Sequence, residues 1–159
     1  MKFFRDKLYE DITIPAPPKD DIVEAAEVKR LIANRTAEQE KSIADHDEVP
    51  FYAIKKYCDD NKMMFHKDEF KDIIYGATDT INYFKDKFDR KRPIEVDKTL
   101  DTSPSKTNKT PSYPSGHAAQ SRIVARYVAG KFPEHEANLI EAGNECGYGR
   151  VLAGFHYPS

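Results

Sequence analysis

The clearest pattern in the sequence is a run of apolar residues whose spacing alternates between four and three positions. These residues are Phe70, Ile74, Ala77, Ile81, Phe84 and Phe88. Residues spaced in this way lie on one face of an α-helix, so the pattern predicts a long amphipathic helix. Asp68 favours its start, because a carboxylate is stabilised near the positive end of the helix dipole. Pro93 disfavours the helical conformation at Arg92 and predicts that the helix ends there.

Five weaker helical patterns flank this stretch. Thr36, with Gln39 three positions later, is typical of a capping box, which starts a helix. Pro50 and Pro133 suit the first turn of a helix, where a backbone N–H would have no partner in any case. The predicted ranges are about 20–35, 36–45, 50–58, 116–131 and 133–154.

The remaining segments lack a helical period. Residues 1–19 end in a cluster of prolines, which enforce extended or turn conformations, and residues 97–113 form a polar loop rich in Ser, Thr, Lys and Pro. A structureless loop of that length is uncommon unless it has a function or is mobile. No segment alternates apolar and polar residues with period two. The sequence therefore predicts an all-α protein, with an irregular segment at 1–19 and one helical domain at 20–159.

Composition narrows the class of protein and of partner. Apolar residues make up 39% of the chain and charged residues 33%, which is typical of a globular protein. The net charge is −2, so no basic excess favours binding to nucleic acid. No stretch approaches the roughly 18 apolar residues of a membrane span, so we expect a soluble protein.

Location and redox state are predicted from the first residues and the two cysteines. The start of the chain lacks the apolar segment and cleavage site of a secretory signal, so the sequence as written predicts a cytoplasmic protein. A periplasmic one is expected if a signal has been removed. Cys58 and Cys146 are interpreted as two buried thiols, with a disulfide between them as the alternative. A homo-oligomer is compatible with the sequence.

Two cations stand at the end of the long predicted helix. Lys85 and Arg92 are seven positions apart, nearly two helical turns, so both are expected to project from one face. Two cations on one face repel each other unless an anion or carboxylates intervene. Taken alone, the segment is more typical of a charged, solvated face with Asp86 and Asp89 as partners.

The segment PSYPSGH begins the next predicted helix. Ser115 is a favourable N-cap residue, and Gly116 permits close approach of a ligand to the backbone. A helix N-terminus presents unpaired N–H groups and a positive dipole end, which favours an anion. His117 in the first turn is placed to donate to an anion or to act as a general acid. The alternative is a Ser-Gly pair that only caps the helix.

The third segment is GRVLAGFHYPS, at the end of the chain. Arg150 has the geometry of a bidentate phosphate donor, and His156 follows six positions later, beyond Gly154. A lone histidine in such a turn is more often structural. Together, however, the three segments supply one lysine, two arginines, two histidines and backbone N–H groups, a set suited to one tetrahedral oxyanion.

These three segments resemble the signature of the type 2 phosphatidic acid phosphatase (PAP2) superfamily. That signature is Lys-x6-Arg-Pro, then Pro-Ser-Gly-His, then Ser-Arg-x5-His-x3-Asp. Order and internal spacings agree, and SYPSGH is similar to the corresponding stretch of the bacterial class A non-specific acid phosphatases. The residues that match are Lys85, Arg92 and Pro93, then Pro114, Ser115, Gly116 and His117, then Arg150 and His156.

The resemblance implies a helical bundle and hydrolysis of small phosphomonoesters through a phosphohistidine. It assigns His156 as the nucleophile and His117 as the general acid and base. Lys85, Arg92 and Arg150, here called the phosphate clamp, would hold the phosphate oxygens together with the Ser115 hydroxyl and the Gly116 N–H. No metal or other cofactor is implied, although phosphate or vanadate would fit the site.

The sequence departs from the signature at two positions. Gly149 stands where the signature has serine, which removes one hydroxyl donor. The final Asp of the signature would follow Ser159, so the bundle is expected to be truncated before its C-terminal helix. In the family this Asp would orient the nucleophilic histidine. One hypothesis is that the terminal carboxylate of Ser159 takes its place.

Other interpretations of the motifs remain open. A vanadium-dependent haloperoxidase shares the cation and histidine set, and a phosphate-binding protein without turnover is suggested by the two departures. The run Asp45–Glu48 is interpreted as a solvated helix end, because no second ligand group has a spacing suited to metal. The remaining histidines lie among charged residues and are predicted to be on the surface; they are His46, His66 and His135.

Overall fold

A computed structural model describes residues 2–159, and its regular elements are helical throughout that range. Seven α-helices and two short 3-10 turns, at Leu8–Glu10 and Pro133–His135, follow one another along the chain. The all-α prediction is therefore confirmed. The helices are α1 (Asp21–Ala33), α2 (Ala37–Glu48), α3 (Tyr52–Asp60), α4 (Lys67–Phe88), α5 (Pro93–Val96), α6 (Gly116–Lys131) and α7 (Glu136–Leu152).

Side-chain caps set the starts of α2 and α6, as the sequence predicts. The hydroxyl of Thr36 accepts from the N–H of Gln39 at 3.1 Å, and the Gln39 side chain accepts from the N–H of Thr36 at 2.9 Å, which completes the capping box. Ser115 caps α6 by accepting from the N–H of Ala118 at 3.3 Å. These bonds satisfy donors that a helix leaves unpaired at its first turn.

The end of the long helix differs from the prediction. α4 stops at Phe88, where Asp89 adopts a left-handed conformation with φ of 42°. Arg92 therefore does not share a helix face with Lys85; it lies beyond the turn and precedes the short, unpredicted helix α5. The sequence argument placed the end at Pro93, but a left-handed residue ends a helix without a proline, and aspartate tolerates that conformation better than most residues.

Helices α6 and α7 form the central pair of the fold and run antiparallel. A Cβ added at Gly143 of α7 would lie 2.8 Å from the Cβ of Ala125, and one at Gly147 would lie 3.2 Å from that of Ala118. Small residues thus let the two backbones approach closely at both points. Because the pair is antiparallel, the first turn of α6 comes beside the last turn of α7.

The main apolar core lies where α3 and α4 pack on this pair. Its fully buried members include Ile54, Phe70, Val124 and Leu139. Cys58 and Cys146 are both buried and unpaired, as expected of two thiols. None of the helices in residues 2–159 combines the length and apolar character that crossing a bilayer requires.

The surface prediction for the remaining histidines is wrong for His46. This side chain is 1% exposed on the inner face of α2, where Nδ1 donates to the Ser42 carbonyl and Nε2 accepts from the N–H of Ala53. Its charged neighbours in sequence lie on other faces of the same helix. His66 is exposed, while His135 is half-buried and its Nδ1 lies 2.7 Å from the Tyr57 hydroxyl.

Candidate active site

The seven predicted site residues come together at one end of the α6–α7 pair. Lys85 comes from the last turn of α4, and a Cβ added at Gly116 would lie 4.0 Å from its Cε. The other members come from the segment before α5, the start of α6, the last turn of α7 and the turn after it. The set is Lys85, Arg92, Ser115, Gly116, His117, Arg150 and His156.

The two ring nitrogens of His156 have different partners. Nδ1 lies 2.7 Å from the carbonyl oxygen of Ser112, and since a carbonyl can only accept, Nδ1 carries the proton of the neutral ring. Nε2 therefore carries the lone pair of the ring, and it accepts a hydrogen bond from a guanidinium N–H of Arg92 at 3.0 Å. Burial, followed by the charges of Arg92 and Arg150, holds the pKa of His156 well below its usual value. The ring is thus kept neutral in the tautomer whose Nε2 carries the lone pair.

The end of the polar loop is part of the site. The carbonyl groups of residues 110, 111 and 112, here called the carbonyl row, accept hydrogen bonds from Arg92, Lys85 and His156 in that order. Arg92 also donates to the carbonyl of Phe155 at 3.0 Å. The sequence predicts residues 97–113 only as a polar loop that has a function or is mobile. In the fold their last residues orient two clamp cations and the histidine.

Arg150 has one partner that the sequence did not suggest. Its NH1 lies 2.6 Å from Oδ1 of Asp47, and the Ser105 hydroxyl donates to the same oxygen at 2.7 Å. Burial alone would raise the pKa of Asp47, but the hydrogen bonds from Arg150 and Ser105 outweigh it and lower that pKa, so the carboxyl is ionised. Nε of Arg150 is buried without a partner. An unpaired buried donor on a charged group is costly, and it indicates a place for an anionic ligand.

His117 is oriented by the backbone of Asp47. Its Nε2 donates to the carbonyl oxygen of Asp47 at 3.1 Å, which leaves Nδ1 available for exchange with a ligand. Burial, followed by the charge of Arg150, lowers the pKa of His117 to about 4. The ring is therefore neutral near neutral pH unless an anion binds beside it.

The clamp is an electropositive, buried site. Lys85, Arg92 and Arg150 are 5%, 6% and 2% exposed. Burial, followed by the charges of the two arginines, lowers the pKa of Lys85 to about 7, and burial with the charge of Arg150 lowers that of Arg92 to about 10. Each cation thus raises the free-energy cost of keeping the others charged, and the negative charge of a bound phosphate would lower that cost.

The two departures from the signature have local structural consequences. A Cβ added at Gly149 would lie 3.7 Å from the Ile43 side chain, an ordinary contact, so a serine would fit here. Ser159 hydrogen-bonds through its hydroxyl and its N–H to Glu24. The acceptor on Nδ1 of His156 is the Ser112 carbonyl, so the hypothesis that the Ser159 carboxylate has this role is wrong.

A cleft of about 540 Å³ lies between α6, α7 and residues 157–159, next to the site. Ser115 and His156 contribute to its wall, but no side chain of the phosphate clamp does. The cleft is therefore an approach to one side of the site and not the phosphate chamber itself. Within residues 2–159, no cluster of three His, Cys, Asp or Glu side chains is arranged to hold a metal ion.

Sequence reasoning missed Asp47 and the carbonyl row. Asp47 lies in the run Asp45–Glu48, which was interpreted as a solvated helix end, and its partner is 103 positions away in sequence. No local signal identifies such a pair. The carbonyl groups of residues 110–112 carry no side-chain signature, although their position one residue before PSGH is a usable hint.

Part of this chain is similar in sequence to several bacterial acid phosphatases. An acid phosphatase of Zymomonas mobilis is 34% identical over 84 residues, which are 51% of this chain and 32% of the relative. A non-specific acid phosphatase of Providencia stuartii is 37% identical over 54 residues, covering 34% of this chain and 22% of the relative. A non-specific acid phosphatase of Salmonella typhi is 42% identical over 48 residues, covering 30% of this chain and 19% of the relative. The matches thus span a third or less of each relative.

A match to a family profile covers a larger share of the chain. The profile of the PAP2 superfamily matches residues 73–159, which include all three motifs and all seven predicted site residues. This range is more than half of the 159 residues. The chain therefore belongs to the PAP2 superfamily.

Proposed function

We propose that this chain hydrolyses phosphomonoesters through a phosphohistidine on Nε2 of His156. The observation that carries the proposal is the neutral His156 ring, held by the Ser112 carbonyl, whose unprotonated Nε2 accepts from a clamp cation at 3.0 Å. A nucleophile beside three buried cations suits attack on an anionic phosphoryl group. The names of the relatives, acid phosphatases, support the same class of reaction.

In the first step, Nε2 of His156 attacks phosphorus and the bond from phosphorus to the ester oxygen breaks. Lys85, Arg92 and Arg150 stabilise the equatorial oxygens, with help from the Ser115 hydroxyl and the Gly116 N–H. Doubly protonated His117 delivers the Nδ1 proton to the departing alkoxide. Positioning and charge stabilisation account for most of the catalysis of phosphoryl transfer, and the clamp supplies both.

In the second step, water replaces the alcohol. Nδ1 of His117 takes a proton from the water, whose oxygen attacks phosphorus as the bond to Nε2 breaks. Orthophosphate leaves, and His156 regains its neutral form while Nδ1 keeps its proton throughout. The clamp acts identically in both steps, so the proposed reaction needs no further cofactor, and vanadate would occupy the same clamp as phosphate.

The proposed reaction is favoured in mild acid. His117 acts as an acid only when protonated, and its pKa is about 4 in the free site. A bound phosphate anion raises that pKa by direct attraction. Lys85, with a pKa of about 7, is charged below neutrality and loses its charge above it. Both effects favour hydrolysis below pH 7.

The test is hydrolysis of p-nitrophenyl phosphate by the wild-type chain and by His156→Ala. His66→Ala is the matched control, because His66 is exposed at the start of α4. We expect the His156 variant to lose at least about 10³-fold in rate and the His66 variant to keep its rate. Equal rates for the wild type and His156→Ala would overturn the mechanism.

A second measurement tests the covalent intermediate. When an alcohol competes with water, one common phosphohistidine must give the same ratio of alkyl phosphate to orthophosphate from different aryl phosphates. A ratio that changes with the leaving group would show direct displacement instead.

The alternative of phosphate binding without turnover is supported by Gly149, which lacks the serine donor of the signature. Orthophosphate binding in the absence of any hydrolysis would favour it. Bromide oxidation with vanadate and peroxide would favour the haloperoxidase alternative. Both assays use the same protein and therefore separate the three functions directly.

A further inference from the structure

Arg90 is a buried cation that the proposed reaction does not use. Its side chain is 4% exposed between the end of α4 and the start of α5. Nε lies 2.9 Å from Oδ1 of Asp21, and NH2 lies 2.6 Å from Oε2 of Glu24, both on α1. Two carboxylates thus neutralise this guanidinium. It therefore differs from the clamp cations, among which the structure gives a carboxylate partner to Arg150 alone within residues 2–159.

The backbone of Arg90 is joined to His156 through a single residue. The N–H of Ser112 donates to the carbonyl oxygen of Arg90 at 2.7 Å. The carbonyl of Ser112 in turn accepts the Nδ1 proton of His156 at 2.7 Å. The residue whose carbonyl fixes the tautomer of the histidine is therefore held through its N–H by the main chain of Arg90.

The side chain of Arg90 contacts two of the residues that follow His156. Its guanidinium carbon lies 3.9 Å from the centre of the Tyr157 ring, a stacked cation–π contact. NH1 donates to the Ser159 hydroxyl at 3.1 Å, and that hydroxyl donates to Glu24 at 2.7 Å. Arg90 thus contacts both sides of the histidine: the acceptor of its Nδ1 proton and the chain beyond it.

The side-chain contacts require arginine, whereas any residue at this position offers the carbonyl that accepts from Ser112. A guanidinium is planar, so it donates to several acceptors in its plane and stacks on a ring with its face. A lysine ammonium keeps the charge but provides neither the fork nor the flat face. Arg90 lies two positions before Arg92, so one short segment carries both the clamp arginine and the arginine that holds the surroundings of His156.

We propose that Arg90, held by Asp21 and Glu24, is a positioning residue that fixes the orientation and tautomer of His156. The proposal rests on the function of His156 proposed above. It assigns to α1, which contributes nothing to the clamp, the task of anchoring the nucleophile. Loss of the Arg90 side-chain contacts is expected to slow the chemical step while leaving the affinity for phosphate nearly unchanged.

The test compares Arg90→Met, Arg90→Lys and Glu24→Gln with the wild type. The first readout is kcat for p-nitrophenyl phosphate against the inhibition constant of orthophosphate. We expect kcat to fall at least about tenfold in Arg90→Met, because small misplacement of a reacting group costs rates of that order or more. The kcat of Arg90→Lys should lie between those of Arg90→Met and the wild type. The inhibition constant should change less than about threefold, because the clamp is intact.

The second readout does not depend on activity. Two-bond proton–nitrogen spectra of the histidine rings, with His156 assigned by His156→Gln, report which ring nitrogen carries the proton. The wild type should show a slowly exchanging proton on Nδ1. In Arg90→Met and Glu24→Gln this proton should exchange at least about tenfold faster, or the ring should populate both tautomers.

Two controls separate positioning from a general loss of stability. Glu27→Gln makes the same chemical change one turn along α1, where the partner is the exposed Arg30. Val128→Ala weakens the core far from this cluster and is chosen to match the loss of melting temperature. Both should keep the wild-type kcat and His156 spectrum at temperatures where they are folded. If Arg90→Met does not fold, Glu24→Gln carries the test.

The possible failures are distinguishable. A wild-type chain that does not hydrolyse the substrate overturns the proposed function, and the spectra then still decide the inference. Wild-type hydrolysis that depends on His156, with unchanged kcat and spectrum in folded Arg90 and Glu24 variants, overturns the inference alone. A loss shared equally by Val128→Ala would also overturn it, because the effect would then be one of stability.

Discussion

The carboxylate of Asp47 lies 2.6 Å from the guanidinium of Arg150, although the two residues are 103 positions apart in the sequence. The pair brings the end of α2 to the last turn of α7. The same carboxylate oxygen accepts from Ser105, so the pair also holds the polar loop against the site. Asp47 is therefore the internal counter-ion of a cation proposed to bind phosphate.

Replacing Asp47 by Asn should make the protein less stable and more responsive to phosphate. The change leaves the charge of Arg150 uncompensated, at a cost of about 2 kcal/mol, below the roughly 3–5 kcal/mol of a fully buried pair. Orthophosphate then supplies the missing negative charge, so it should raise the melting temperature of the variant more than that of the wild type. Thermal unfolding with and without orthophosphate measures both effects.

Asp45→Asn is the matched control for this variant, because Asp45 lies on the same helix and pairs with the exposed Lys41. A smaller phosphate response in Asp47→Asn than in the wild type would contradict the counter-ion interpretation. It would mean that Asp47 orients Arg150 for phosphate instead of competing with it.

The pH dependence of kcat/KM should report the proton on Lys85. Burial and the neighbouring arginines lower its pKa to about 7, so the ammonium is present below pH 7 and lost above it. We expect kcat/KM to fall as the pH rises through 7. In Lys85→Arg the cation persists at all these values, and the fall near pH 7 should disappear. Lys87→Arg, an exposed lysine in the same turn, should keep the wild-type profile.

His117 should make the protein less stable in mild acid. Its pKa is about 4 in the folded protein and close to 6.5 when unfolded, so between these values the unfolded chain binds more protons. The free energy of unfolding should therefore fall as the pH is lowered from 6.5 to 4. Denaturant unfolding of His117→Gln should show a slope smaller by at most about 1.4 kcal/mol per pH unit. An unchanged slope would contradict the assignment.

Two glycine-to-alanine changes should have opposite effects on stability. Gly143→Ala forces a methyl group to 2.8 Å from that of Ala125 and should cost about 1–3 kcal/mol by overpacking the α6–α7 contact. Gly130, in the last turns of α6, has open space around it, and Gly130→Ala should add about 0.5–1 kcal/mol through helix propensity. Urea unfolding measures both, and effects of the same sign would show that the close contact is not limiting.

The elements that the sequence predicted well are those with strong local signals. The Thr36 capping box, the Ser115 cap and the apolar stripe of α4 are each set by residues within a few positions of one another. The site residues were predicted by motif spacing, which records a shared pocket without giving its geometry. Thus Lys85 and Arg92 do lie in one site, but across a turn and not along a helix face.

The features that the sequence missed depend on long-range contacts. Asp47 and His46 lie in the same acidic run, and only the packing of α2 decides that one is a counter-ion and the other a buried ring. Arg90 looks like one of several charges in its segment until α1 brings two carboxylates to it. Nothing within a few positions of these residues distinguishes them from solvated side chains.

The carbonyl row has a consequence for how a loop of this kind can diverge. Its three contacts are made by main-chain oxygens, which every amino acid provides. The exposed side chains of the loop, such as Lys106 and Lys109, are therefore free to vary in size and charge while the cations and the histidine keep their orientation. Variation at the surface of this segment and constancy of the site thus depend on different atoms of the same loop.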